Sequence, residues 1–103
     1  MSGQQQQPQQ QQSGGKIGLP SVNTLNQAAK LSIKIAKPLD FYFFIDSCRG
    51  NAQIVNADGD KIIYKNNEEH TSPIKHTYKV ENEYLVVTEN TIYLISCNTK
   101  VSK

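Results

Sequence analysis

Cys48, His70 and His76 are the side chains through which this 103-residue chain could do covalent chemistry. A thiol becomes a nucleophile when an imidazole takes its proton, and Asp46 lies two residues from Cys48. The surroundings argue against that chemistry. "DSCRG" carries no nucleophile signature and reads as the end of a strand entering a turn at Gly50. Cys48 and Cys97 stand 49 positions apart, and with the two histidines they lack the short paired spacing of a zinc site. In a reducing compartment both are expected as thiols. "NADGD" resembles the start of a calcium loop, but "KIIYK" follows directly as a strand, where an EF-hand needs further ligands and flanking helices. No enzymatic activity, cofactor, metal or small-molecule substrate is therefore expected.

The remaining candidate chemistry is electrostatic. Between Lys16 and Lys37 stand four lysines and no acid, whereas residues 38–103 carry seven Lys or Arg against nine Asp or Glu. Lys30, Lys34 and Lys37 fall on one side of a helical wheel and form a candidate contact for an anionic partner; a solvated helix face is the plainer reading. A sheet that stacks bases on its tyrosines is disfavoured. Arg49 is the only guanidinium, and no aromatic-basic run accompanies the rings.

The elements that must position these residues can be read from pattern. "MSGQQQQPQQQQSGG" offers no apolar surface to offset the entropy of ordering, so residues 1–20 are expected as a disordered Gln-rich tail and residues 21–103 as one small domain. The chain start has no basic segment leading into an apolar one, and no apolar run reaches 18 residues, which predicts an intracellular, cytoplasmic protein without a membrane span. Leu25, Ala28, Ala29, Leu31, Ile35 and Ala36 share half a helical wheel. A helix is predicted from about Leu25 to Ala36, with Thr24 and Gln27 as a capping box and Pro38 as its stop. Ile33 fits neither face.

Beyond Pro38 the period changes to two. "LDFYFFID" predicts a strand at the centre of the core, with Leu39, Phe41, Phe43 and Ile45 on one face. Asp58-Gly59 predicts a tight hairpin, "NNEEHTSP" a polar loop, and "KHTYKV", "EYLVVT" and "TIYLISC" three strands parted by Glu81-Asn82 and Glu89-Asn90. The sum is an α+β domain: a short amphipathic N-terminal helix on an antiparallel sheet of five or six strands. In the last two strands apolar residues run almost without alternation, so that hairpin is either buried on both faces or offers one to a partner. A helix about 18 Å long can cover one face and not two. Tyr84, Val86, Ile92 and Leu94 are the candidate protein interface, and a closing strand at a sheet edge could pair with a copy of itself or another chain.

"KPLDFYFFIDS", "KIIYKNNEEHTSPI" and "EYLVVTENTIYLIS", within residues 25–96, together resemble small uncharacterised α+β proteins of nucleocytoplasmic large DNA viruses. The resemblance implies a virus-encoded protein in the host cytoplasm or virion, with no catalytic residues to transfer. The expected function is a non-enzymatic interaction or structural module that binds a protein partner or itself. The alternative is an accessory nucleic-acid-binding protein that uses the basic helix face.

Overall fold

Ser21 opens the first helix, α1 (Val22–Ile35), by accepting the Thr24 N–H on its hydroxyl at 3.1 Å. The cap thus lies three residues earlier than the predicted Thr24. Pro38 forces Lys37 out of helical geometry, and Ala36 turns left-handed (φ 57°), which brings the Lys37 N–H to the Ser32 carbonyl at 3.2 Å. The computed structural model describes residues 19–102. The first 18 residues, and with them nearly all of the predicted disordered tail, lie outside the described residues.

The architecture is α+β. After α1 come β1 (Leu39–Asp40), α2 (Phe44–Arg49), β2 (Gln53–Ala57), β3 (Asp60–Asn66), β4 (Glu69–His70), β5 (Ile74–Val80), β6 (Glu83–Thr88) and β7 (Ile92–Ser96). The strands form two sheets, not one of five or six strands: a four-stranded sheet ordered β1-β7-β6-β5 and a three-stranded sheet ordered β2-β3-β4. The larger sheet is mixed, because β1 runs parallel to β7. The Asp58-Gly59 hairpin forms as expected. Both residues take positive φ (56° and 90°), the geometry of a turn whose twist matches the strands it joins. The polar loop "NNEEHTSP" contains β4, which pairs with β3.

The predicted central strand "LDFYFFID" is the main correction. Only Leu39 and Asp40 are strand; the Asp40 carboxylate accepts the Tyr42 N–H at 2.8 Å and starts a turn, and α2 follows. Phe43, Phe44 and Ser47 are buried at helical spacing, while Phe41 and Ile45 are 47% and 51% exposed. Gly50 does not end a strand: at φ 80° it caps α2, with its N–H on the Asp46 and Ser47 carbonyls. A short unbroken apolar run has no periodicity that separates strand from helix, and here the Asp40 turn and the Gly50 cap decide.

The β6–β7 hairpin is the middle layer. Leu85, Val87, Ile92 and Leu94 face α1 and pack with Ala28, flanked by Leu25, Leu31 and Ile35. On the opposite face Val86 and Ile95 pack with Phe43, Ala52, Ile54 and Ile63, so α2 and the smaller sheet cover what the helix cannot. Pairing in register puts Leu85 opposite Leu94 and Val86 opposite Tyr93, so adjacent residues feed opposite cores. The run of apolar residues without alternation follows from this double burial.

Polar contacts fix both ends of α1 to the sheet. Near its start the Thr24 hydroxyl donates to the buried Glu83 carboxylate at 2.6 Å, placing a carboxylate at the positive end of the helix. Past its end Lys37 Nζ donates to the Thr88 carbonyl at 2.8 Å, and the Ile92 N–H to the Pro38 carbonyl at 2.9 Å. No helix among the described residues is long and apolar enough to cross a membrane.

Candidate interaction surface

β5 is bonded along one side only. Its seven residues pair antiparallel with β6, and no strand lies on its other side among the described residues. The other edges are short or covered: β1 and β4 have two residues each, and β2 is flanked by the chain end, with the Ile54 N–H on the Lys100 carbonyl at 2.8 Å and the Ser102 N–H on the Ile54 carbonyl at 2.7 Å. β7, which the sequence suggested as a closing edge, lies inside its sheet between β1 and β6. The open edge belongs to β5 instead. Seven extended residues present roughly 23 Å of backbone, with every second N–H and C=O pointing away from the sheet over His76–Val80 and a bulge between Ile74 and His76 interrupting the alternation.

Lys75, His76, Thr77, Tyr78 and Lys79 are all exposed, and Ile74–Val80 contains no acid. The register sorts their side chains. His76 and Tyr78 sit opposite Val87 and Leu85 on the α1 face, their rings 6.1 Å apart, while Thr77 and Lys79 sit opposite Val86 and Tyr84 on the other face. Between α1 and β5 runs a groove of about 320 Å³, lined by Gln27, Leu31, Lys34, Tyr78 and Lys79.

Of the three predicted anion-contact lysines, Lys30 and Lys34 are exposed and Lys34 reaches this groove. Lys37 departs from the set, since its ammonium is held by Thr88 and its stem is half-buried. Sequence reasoning missed Lys75 and Lys79. Their signal was a strand polar on both faces and free of acids, the composition of a sheet edge. Among the described residues both salt bridges belong to Lys65, so none of Lys30, Lys34, Lys75 and Lys79 is paired with a carboxylate.

The predicted protein interface lies elsewhere than at the surface. Val86, Ile92 and Leu94 are at most 1% exposed, and Tyr84 is half-buried against the core of Phe43 and Ile63. Their apolar character serves packing within the chain, because two layers cover the hairpin where one had been expected.

The residues capable of covalent chemistry are not assembled. Cys48 and Cys97, both free, line an open cavity of about 460 Å³ with Glu83, Asn82 and Ser96, and no histidine lines it. Burial, and then the Glu83 charge, push the Cys48 thiol above its ordinary pKa, the opposite of activation. His70 stacks on Tyr64 with centroids 6.3 Å apart, and His76 stands on β5. No cluster of three or more His, Cys, Asp or Glu among the described residues is placed to hold a metal ion.

A second polar cluster is structural. The Tyr42 hydroxyl donates to the Glu69 carboxylate, Asn66 Nδ2 donates to the same group at 2.9 Å, and Lys65 Nζ lies 3.3 Å from Asp46 and 3.5 Å from Glu69. The hydrogen bonds from Asn66 and then Tyr42 hold Glu69 below the usual carboxylate value, and the bond to Glu69 holds the Tyr42 phenol above its own. Together they tie the turn before α2 to the β3–β4 hairpin.

No family model, curated protein or solved structure matches this chain.

Proposed function

We propose that this domain is a non-enzymatic protein-interaction module and that its docking site is the free edge of β5. The observation that carries the reading is a seven-residue strand whose middle five residues are exposed and whose outer edge has no partner strand among the described residues. An extended segment of another chain can bond to such an edge through the backbone alone and gain specificity from side-chain pockets beside it. The groove under Tyr78 offers such a pocket. The module would then act as a component of an assembly, in keeping with the viral resemblance of its sequence.

A photo-crosslinking residue at Thr77, in protein purified from native cells after nuclease treatment, tests this. A protein partner is expected to crosslink from Thr77 and not from Ile33, which is 82% exposed on α1. Equal capture from both positions, or none from Thr77, would overturn the proposal. Loss of all partners on nuclease treatment would instead favour nucleic acid at Lys30, Lys34, Lys75 and Lys79.

A further inference from the structure

The identity of the docked strand follows from charge and register; the inference rests on β5 being the docking edge. We infer that the occupant is an acidic extended segment of a different protein, with carboxylates at alternate positions and apolar residues between them.

Two features of β5 exclude a second copy of this chain as the preferred occupant. An antiparallel self-pairing centred on Thr77 sets Lys75 opposite Lys79 of the copy, twice over, and the bulge between Ile74 and His76 interrupts the regular register such a pairing needs. Like charges directly opposite one another destabilise a strand pair. The same lysines protect the edge against self-association, a common use of lysine on open edges.

The same two features select an acidic strand. Among the described residues Lys75 and Lys79 carry no carboxylate partner, and Ile74–Val80 contains no acid. An added strand alternates its side chains as β5 does. Residues on the Lys79 side would place carboxylates beside ammonium groups. Those on the opposite side would lie along His76 and Tyr78 over the groove floored by Leu31 and Leu85, where apolar side chains gain most. An acidic–apolar alternation satisfies both faces, with the apolar side chains over Leu31 and Leu85 in the groove.

The full chain is titrated with a blocked heptapeptide alternating glutamate and valine, with the same peptide carrying lysine for glutamate, and with an oligothymidylate. Affinity is read by anisotropy and the bound face by amide exchange. The glutamate peptide is expected to bind roughly tenfold or more tighter than the lysine peptide and to slow exchange at the outward amides of β5. The double variant Lys75→Glu, Lys79→Glu should reverse that preference, and Lys75→Gln, Lys79→Gln should abolish it; unchanged exchange in β6 and β7 shows that each variant is folded. Equal binding of the two peptides overturns the acidic occupant, as does no binding of either. If Thr77 still crosslinks a protein, the docking reading survives that failure. Tighter binding of oligothymidylate than of either peptide, or a dimer with β5 protected, also overturns the inference in favour of nucleic acid or a second copy.

Discussion

Ala36 closes α1 at φ 57°, where its Cβ crowds the following carbonyl. That conformation costs a non-glycine residue about 1–2 kcal/mol, and glycine in its place gives back about 0.5–1 kcal/mol through its freer unfolded chain. Ala36→Gly is therefore expected to stabilise the domain by about 0.5–1 kcal/mol, read as a rise of a few degrees in thermal melting; an unchanged or lower midpoint contradicts this account of the cap. The stop itself was legible, because Pro38 restricts the residue before it. Other residue roles were not. Thr24 has the composition of a cap, yet its hydroxyl is spent on Glu83, 59 positions away. Lys37 looks like one of three equivalent surface lysines until Thr88 is brought beside it. Such partners come from the tertiary fold, and no local pattern contains them.

At the scale of elements, turns and strands with their own chemistry were readable, while the aromatic run was not. Asp58-Gly59 and the last three strands follow directly from turn residues and β-rich runs. "LDFYFFID" supports a strand and a short helix equally by periodicity, and its outcome depended on Asp40, Gly50 and the packing of Ser47, whose hydroxyl accepts the Ser96 N–H at 2.9 Å. The hairpin β6–β7 shows how burial alters the meaning of apolar residues. Leu94→Ala opens a cavity in the layer under α1 and is expected to cost about 2–5 kcal/mol, a large share of the roughly 5–15 kcal/mol that holds a domain together. Ile33→Ser on the exposed side of α1 should change stability by no more than about 0.5 kcal/mol. Chemical denaturation of the two variants checks both. A small loss at Leu94 would mean that the hairpin is not the middle layer.

For the whole molecule, the decisive feature is how many layers cover the central hairpin. One helix cannot shield two apolar faces, and from sequence alone the second face pointed to a partner. In the structure the second face is covered by α2 and the sheet of β2, β3 and β4, so surplus apolar surface no longer supports an interface at Val86, Ile92 and Leu94. The case for interaction moves from apolar side chains to unbonded backbone. β5 is anchored only at its ends, where Ile74 and Val80 pack against the two cores; its middle residues Lys75–Lys79 are exposed, and it is basic where an open edge needs protection from its own copies.

The measurement that tests this most directly is amide hydrogen exchange of the free, full-length protein, resolved residue by residue along β5. An open edge bonds every second amide to β6 and leaves the others to water, so protection is expected to alternate along His76–Val80, beyond the bulge between Ile74 and His76, while β6 is protected throughout. Uniform protection along β5 would contradict the account, because it would mean that the edge proposed for a partner is already occupied.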